Sequence, residues 1–357
     1  MSRRAVVLSG SRPTGRQHLG NYWGVVRNWI GLSEQYDCYY CLADWHMLTT
    51  GYEEVSALQR NILDTILDWL AAGLDPEKCV IFKQSDVPEH AELALLLGMV
   101  TPLSWLENNP TWKEQLQELA KTKLSKLQEQ GAREERTATA AQQHELRTFG
   151  FLGYPVLQAA DILLYRGEKV PVGQDQLPHL ELSREIARKF NSIFGQVFPE
   201  PLPILSETPR LPGTDGRKMS KSYGNAVDID ETSESLQAKV MSMYTDPKKI
   251  KATTPGHPDP GPENPPGCVV YALHKLYNPQ WAEVGAKCRA GELGCVQDKK
   301  DLLGILDKPF SEFRQRRQTY ASDPRRVEKI LEDGAKKARA VAVETMKEVR
   351  RAMRLKA

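Results

Sequence analysis

Residues 218–222 carry two lysines, three positions apart, with hydroxyl groups between and after them, in a segment that we call the lysine loop. Two ammonium groups at this spacing can clamp a triphosphate and stabilise the charge that develops on a leaving pyrophosphate. A loop that tightens in the transition state, rather than on the bound substrate, raises the rate. A solvated basic loop without a ligand is the alternative that these residues alone leave open.

A second segment suited to phosphate chemistry, the histidine segment, covers residues 9–22 and follows a short apolar run. Its small residues let the chain turn sharply and let a ligand approach the backbone. His18 and Asn21 can project from one side of a first helical turn, where free N–H groups and the helix dipole attract phosphate. A capped helix start with a buried histidine would use the same residues, so the segment alone does not decide between the two.

Alternating strands and helices must position these two segments. Short apolar runs predict three buried parallel strands, at residues 5–9, 39–42 and 80–82. Between the second and third strands, apolar residues recur every four positions and predict an amphipathic helix over residues 53–73. A strand at 169–172 and a helix from about 175 to 194 extend the pattern. The fold class predicted is α/β, with a Rossmann-like parallel sheet that binds a nucleotide.

The rest of the chain predicts helices and one long loop. Residues 115–148 are rich in Gln, Lys, Glu and Arg and predict a polar, exposed helical excursion from the first domain, residues 1–205. Residues 206–227 are rich in Pro and Gly and predict a mobile loop around the lysine loop. Residues 228–357 predict a mostly helical second domain, which ends in a long helix through residues 327–349.

Composition excludes several classes of protein. The chain has 357 residues with a net charge of +2, and no apolar run approaches the roughly 20 residues that a membrane span needs. The apolar run near the N-terminus is too short for a signal peptide, so we expect a cytoplasmic protein. Residues 310–357 hold 14 Lys and Arg against 7 Asp and Glu, which indicates either a polyanion partner or a solvated helix face.

The two segments together resemble the signatures of class I aminoacyl-tRNA synthetases. The histidine segment is similar to the first signature in the form used by the tryptophan enzymes, and the lysine loop matches the second without change. Further segments similar to bacterial tryptophanyl-tRNA synthetases lie at residues 43–46, 154–157, 159–163 and 170–176. The sister tyrosine enzymes share the fold and both signatures.

The resemblance implies an ATP site between the two signatures. The implied catalytic residues are His18, Asn21, Lys218 and Lys221. The implied contacts with ATP are Arg12, Pro13, Thr14, His18, Gly20, Asn21, Gly173, Gln174, Asp175, Leu211, Lys218, Met219, Ser220, Lys221 and Ser222. Arg12 departs from the bacterial pattern, which usually has Gln there, and its role stays open.

A pocket that selects an indole ring should bury an acceptor for the ring N–H. The resemblance assigns this acceptor to Asp161, which lies in an apolar run where an unpaired carboxylate would be costly. The implied contacts with tryptophan are Leu8, His46, Tyr154, Gln158, Asp161, Val170, Val172 and Gln176. Gln158 stands where many bacterial relatives have Met, and either ordering of the carboxylate or contact with the substrate would suit it.

The resemblance implies ATP-dependent activation of L-tryptophan to tryptophanyl-adenylate, followed by transfer to tRNA(Trp). ATP would bring Mg²⁺, the helical domain would read the anticodon, and the enzyme would be a homodimer. No membrane or DNA partner is implied. A tyrosine-specific sister enzyme and a synthetase-like paralogue that binds or regulates without charging tRNA are the alternatives.

Six cysteines divide into two groups. Three lie in or beside predicted strands and are interpreted as core residues: Cys38, Cys41 and Cys79. The others resemble a segment of certain bacterial tryptophan enzymes that bind a [4Fe–4S] cluster, with the ligand set Cys268, Cys288, Cys295 and Asp298. Because Asp298 stands where those enzymes have a fourth Cys, the sequence leaves open whether it ligates iron or the cluster is lost with its scaffold retained.

Overall fold

The computed structural model describes residues 3–53, 55–109, 112, 148–205 and 211–356. Within this part of the chain, five parallel strands form one sheet in the order β3-β2-β1-β4-β5. Their bounds are β1 Val6–Ser11, β2 Asp37–Leu42, β3 Cys79–Lys83, β4 Lys169–Val172 and β5 Leu202–Leu205. The predicted α/β fold with a parallel sheet is confirmed. The predicted excursion at 115–148 lies almost entirely outside the described residues.

The order of strands reverses between β1 and β4, which pair through Val7 and Lys169. At such a switch point, the crossover connections leave in opposite directions and open a crevice beyond the carboxyl ends of the strands. The β1 strand ends at Ser11 and β4 at Val172. The histidine segment and the residues after Val172 therefore begin at this crevice.

Helices flank the sheet and carry the site residues between strands. The histidine segment opens a helical run that is α-helical, then π-helical over Tyr22–Val26, then α-helical again. The α-helices up to β5 are α1 Leu19–Asn21, α2 Arg27–Ser33, α3 Asp44–Gly51, α4 Leu58–Ala72, α5 Glu89–Gly98, α6 Leu103–Glu107, α7 Phe149–Leu164 and α8 Leu177–Phe194. Gly73 ends α4 in the left-handed conformation, with φ of 105°, as its position after the periodic run predicts.

The rest of the described chain is helical apart from connecting segments. Its helices are α9 Ser233–Ser242, α10 Val269–Tyr277, α11 Trp281–Ala290, α12 Cys295–Ala321 and α13 Pro324–Ala352. Helix α13 packs back on the sheet beside β3, where a Cβ at Gly334 would lie 1.8 Å from the Ile81 carbonyl oxygen. Arg339 and Arg350 of α13 also pair with Glu89 and Glu92 of α5. Part of the basic excess of residues 310–357 therefore pairs with α5 and helps to hold α13 in place.

The lysine loop rests on an apolar cluster that joins both halves of the chain. Met219 and Leu211 are buried with Leu19 of α1 and with Phe310 and Phe313 of α12. The residues 206–210 at the start of the predicted loop lie outside the described part. No described helix has the length and apolar character needed to cross a membrane.

Candidate active site

A cavity of about 390 Å³ lies at the switch point between β1 and β4. The ends of these strands form its floor, while α3, α7 and the segment before α8 form its walls. Many of the residues that the sequence assigned to a site line it: Leu8, Arg12, His46, Tyr154, Gln158, Asp161, Val170, Val172, Gly173 and Gln176. Folding thus brings together residues separated by more than 160 positions in the chain.

Asp161 is the charged centre of this cavity. Its Oδ1 lies 2.8 Å from Gln84 Nε2 and 2.7 Å from His90 Nδ1, and its Oδ2 lies 3.0 Å from His46 Nε2. Burial alone would raise the pKa of Asp161, but His90 and His46 lower it to about 2. The carboxylate is therefore ionised and can only accept hydrogen bonds.

The donors around Asp161 are themselves fixed. Because an ionised carboxylate accepts only, His90 donates through Nδ1, and its Nε2 lies 2.7 Å from the Tyr165 hydroxyl, within hydrogen-bond distance. His90 and Tyr165 are fully buried, so their geometry is set by packing. This chain holds the carboxylate in one orientation. Leu8, Val170 and Val172 supply buried apolar surface in the same cavity. The arrangement suits a flat apolar ring that carries one N–H donor.

The opposite wall is a second hydrogen-bonded chain. The Tyr154 hydroxyl lies 2.7 Å from His179 Nε2, and His179 Nδ1 lies 3.0 Å from Gln176 Oε1. The amide oxygen of Gln176 can only accept, so His179 donates to it and accepts from Tyr154. Phe151 stacks on Tyr154 with an interplanar angle of 18°. Tyr154 is thereby held as a rigid wall of the cavity.

Sequence reasoning gave no role to Gln84, His90 or Phe151, and mentioned His179 only within a motif. Gln84 follows β3 directly, at the sheet edge where ligands bind, and that position could have identified it. No comparable signal exists for His90, because its contact with Asp161 depends on how α5 packs against α7. Gln158 lines the cavity one turn before Asp161, but the hydrogen bonds of the carboxylate go to Gln84, His46 and His90.

His18 caps the first helix and is a neutral donor. Its Nδ1 accepts the Asn21 backbone N–H at 3.2 Å, and the Asn21 side chain accepts the His18 backbone N–H at 3.3 Å. Burial, then the charges of Lys221 and Lys218, lower the pKa of His18 to about 4. Since Nδ1 accepts, the single proton of the neutral ring lies on Nε2. The capped-helix interpretation is confirmed. The His18 Nε2–H could serve a ligand in front of α1, and the ligand-binding interpretation stays a prediction.

The lysine loop lies directly against the histidine segment. Lys221 Nζ donates to the Thr14 carbonyl at 3.0 Å, and a Cβ at Gly20 would lie 3.7 Å from the Cβ of Met219. Buried Asn225 fixes the backbone of the lysine loop. Its side chain accepts a hydrogen bond from the Ser220 N–H at 2.8 Å and donates one to the Lys218 carbonyl at 3.2 Å. The two signatures are thus adjacent although they are about 200 residues apart.

Several implied ATP contacts lie at the margin of this arrangement. Pro13 and Leu211 are buried, and Leu211 packs in the apolar cluster with Met219. Gln174 is exposed at the start of a 3₁₀ turn, and the side chain of Asp175 lies outside the described part of the structure. Ser222 is exposed, with its hydroxyl 2.8 Å from that of Ser220. Arg12, which belongs to the histidine segment, reaches Thr50 Oγ1 at 3.3 Å and lines the cavity.

The cysteines of the helical half do not assemble a metal site. Among the described residues, no group of three or more His, Cys, Asp or Glu side chains is placed to hold a metal ion. Asp298 is buried with its Oδ1 3.1 Å from His274 Nε2, so its carboxylate faces a histidine. The described structure therefore gives no support for an iron–sulfur cluster at Cys268, Cys288, Cys295 and Asp298, and that ligand set stays a prediction. Cys38, Cys41 and Cys79 are buried thiols in the strands, as predicted.

Comparison with known proteins agrees with this geometry. Residues 1–311 match the family described as tRNA synthetases class I (W and Y). The chain is 45% identical to a tryptophan–tRNA ligase of Aquifex aeolicus and 44% identical to one of Thermotoga maritima, over 98% of this chain and 99% of each relative. The crystal structure of tryptophanyl-tRNA synthetase from Campylobacter jejuni, complexed with ADP and tryptophan, has a TM-score of 0.79 at 31% identity, and the match covers 98% of this chain and 100% of that one. The chain therefore belongs to the tryptophan–tRNA ligase family of class I aminoacyl-tRNA synthetases.

Proposed function

We propose that the protein activates L-tryptophan with ATP and transfers it to tRNA(Trp). The observation that carries this proposal is the ionised Asp161 carboxylate in a cavity that is also lined by the apolar side chains of Leu8, Val170 and Val172 and by residues 9–12 of the histidine segment. The indole ring would lie between the apolar side chains, with its N–H donated to Asp161. Its carboxylate would then point towards Arg12 and the histidine segment, where the α-phosphate of ATP would lie.

In the first step, a carboxylate oxygen of tryptophan attacks the α-phosphorus of ATP, and the bond to the bridging oxygen of pyrophosphate breaks. The neutral His18 donates its Nε2–H to phosphate oxygen, while Lys218 and Lys221 stabilise the leaving pyrophosphate. In the second step, a ribose hydroxyl of the terminal tRNA adenosine attacks the acyl carbon, and AMP leaves. ATP brings Mg²⁺ as its usual counterion, which adds positive charge at the phosphates.

Lys221 supports this assignment in a specific way. Its ammonium group already reaches the Thr14 carbonyl at 3.0 Å, on the segment that would hold the phosphates. An anionic triphosphate in front of α1 would displace the neutral Thr14 carbonyl as the partner of this ammonium group, because hydrogen bonds to charged acceptors are stronger. The loop then gains its strongest contact as charge develops on pyrophosphate, which is the condition for rate acceleration.

The proposed assembly is a homodimer that binds tRNA with its helical half. Leu95 of α5, Met99 directly after α5 and Leu103 at the start of α6 are each more than half exposed, and such apolar side chains suit contact with a second copy. Arg325 and Lys329 are exposed at the start of α13 and suit contacts with tRNA phosphates, which would make tRNA affinity strongly salt-dependent. Since its product supplies the ribosome, the proposed site of action is the cytoplasm.

Amino-acid-dependent exchange of pyrophosphate into ATP, followed by charging of tRNA, tests the proposal. We expect exchange with tryptophan and none with tyrosine, then tryptophan-dependent charging. Exchange with tyrosine alone would indicate the sister specificity, and no exchange with either amino acid would indicate a non-charging paralogue. For the dimer, light scattering after gel filtration should give twice the chain mass, and Met99→Asp should give the monomer; a monomeric unmutated protein would contradict it.

A further inference from the structure

Arg317, on α12 of the helical half, reaches across to the catalytic domain. Its Nη2 lies 2.5 Å from Asp64 Oδ1 and its Nε lies 2.7 Å from Asp68 Oδ1, both on α4. The same Nε lies 3.8 Å from Asp230 Oδ2, just after the lysine loop. The Arg317 side chain is 14% exposed and Asp68 is fully buried, so water screens these charges far less than in a surface ion pair.

Asp68 connects this ion pair to the histidine segment. Its second oxygen, Oδ2, accepts the backbone N–H of Gln17 at 2.6 Å, and Gln17 is also buried. One turn earlier on α4, the Thr65 hydroxyl donates to the Gly15 carbonyl at 3.1 Å. Helix α4 therefore holds the backbone on both sides of Arg16 and directly before His18.

The other side of the histidine segment is held by the chain that follows the lysine loop. The Leu19 N–H donates to the Val227 carbonyl at 2.8 Å, and the Ile229 N–H donates to the Gln17 carbonyl at 3.0 Å. Arg16 also pairs with Asp230 at 2.9 Å. Arg317 thus contacts carboxylates on both structures that clamp residues 15–19, namely α4 and the segment after the lysine loop.

Burial of this carboxylate has an energetic cost. Burial raises the pKa of Asp68 to about 6, although the Gln17 N–H and Arg317 lower it. Well-packed apolar residues are often at least as stabilising as a buried ion pair. Unlike an apolar side chain, the Asp68 carboxylate accepts a hydrogen bond from the Gln17 N–H, and the Arg317 guanidinium fixes its orientation.

We infer that Arg317 and Asp68 are positioning residues for adenylate formation, because they fix the Gln17 peptide and so aim the His18 Nε2–H at the phosphates. The expected effect on the rate of pyrophosphate exchange rests on the proposed function. The expected effect on the backbone of the histidine segment does not. Neither residue touches the substrates. The pair acts through the backbone of the histidine segment. The geometry of the phosphate site therefore depends on the position of α12 relative to α4.

The test compares Arg317→Met with a matched control, Arg350→Met. Arg350 also joins a C-terminal helix to the catalytic domain, through Glu92 at 2.7 Å, but it has no connection to the histidine segment. We expect Arg317→Met to lower kcat for pyrophosphate exchange by about 10- to 100-fold, because a displacement of His18 by about 1 Å has a cost of this size. The affinity for tryptophan should change little. Arg317→Lys should recover part of the rate. Arg350→Met should stay within about twofold of the unmutated enzyme. Because Arg317 pairs with a fully buried carboxylate and Arg350 with a part-exposed one, Arg317→Met should also lose more thermal stability, so the rates are compared at a temperature where both variants are folded.

A pH profile separates positioning from general loss of structure. Charged groups facing Asp68 are Arg317 on α12, Asp64 on its own helix and Asp230 after the lysine loop. Protonation of Asp68 below about pH 6 weakens its contact with Arg317, so exchange by the unmutated enzyme should fall through this pH. Asp68→Asn keeps an oxygen for the Gln17 N–H but has no such ionisation, so this fall should be absent. His18 titrates near pH 4 and does not produce it.

Hydrogen–deuterium exchange supplies a readout that does not depend on activity. Amides of residues 15–21 should exchange faster in Arg317→Met than in the unmutated protein, and should be unchanged in Arg350→Met. The inference would be overturned if the amides of residues 15–21 were equally protected in Arg317→Met and Arg350→Met. It would also be overturned if both variants lost pyrophosphate-exchange activity equally. If the unmutated enzyme activates no amino acid, the proposed function fails, and the amide measurement still decides whether the pair positions the histidine segment.

Discussion

Replacing Asp161 with asparagine exchanges one carboxylate oxygen for an amide NH₂ and removes the charge. Three donors converge on this carboxylate: Gln84 Nε2 at 2.8 Å, His90 Nδ1 at 2.7 Å and His46 Nε2 at 3.0 Å. The amide has one acceptor oxygen, so at least one buried donor must face another donor. A buried donor without its partner costs about 1–3 kcal/mol, and this cost appears in the stability of the free enzyme.

The effect on tryptophan is a separate quantity. A hydrogen bond to a charged acceptor contributes about 1.5–3 kcal/mol, so losing it should weaken tryptophan binding by about 10- to 150-fold. We expect kcat/KM for tryptophan in pyrophosphate exchange to fall by at least this factor. An analogue in which sulfur replaces the indole N–H makes the comparison sharper. The unmutated enzyme should reject it by a similar factor of about 10- to 150-fold, because the same hydrogen bond is lost, and Asp161→Asn should discriminate much less.

Gln158→Met is the matched control for this prediction. Gln158 lies on the same helix and lines the same cavity, but the carboxylate bonds to other residues. We expect this variant to stay within about fivefold of the unmutated enzyme, because no charged hydrogen bond is lost. The reasoning fails if the unmutated enzyme accepts the sulfur analogue as well as tryptophan, or if Gln158→Met and Asp161→Asn lose activity equally.

Three further predictions concern the phosphate site and the last helix. His18→Ala removes one positioned donor and should lower kcat for exchange by about 10²–10³, whereas a loss below fivefold would contradict its role. Lys221→Ala should slow adenylate formation strongly in single-turnover measurements while leaving tryptophan affinity largely intact; equal losses in both would contradict a transition-state role. Gly334→Ala places a Cβ 1.8 Å from the Ile81 carbonyl oxygen, so α13 must shift and thermal denaturation should occur at a lower temperature, with unchanged stability as the opposing result.

Local sequence was sufficient for β1 to β4 and for the long helices α4, α8 and α13. Periodic apolar residues predicted α4, and the left-handed Gly73 ends it because its neighbours could not adopt that conformation as readily. Strand β1 was predicted at residues 5–9 but runs over Val6–Ser11, since pairing with β2 extends it into the polar residues of the histidine segment. Whether α13 packs on the sheet could not be decided from sequence, because this depends on the fit of Gly334 against β3.

Site residues that belong to a local sequence motif could be assigned from the sequence. Residues whose contacts depend on the packing of distant elements could not. Asp161 was assigned from its motif, but the residues that keep it ionised, His90 and His46, lie more than 70 positions away. The contact of Arg317 with Asp68 spans 249 positions and leaves no local pattern. Spacing alone likewise could not place Asp298, a candidate iron ligand, against His274.

Pyrophosphate exchange by the unmutated protein, with tryptophan and tyrosine in parallel, tests the central claim most directly. The ionised Asp161 in this cavity should select the indole N–H, and the adjacent signatures should cleave ATP. We expect rapid exchange with tryptophan and no exchange with tyrosine. Exchange with tyrosine and none with tryptophan would contradict this account.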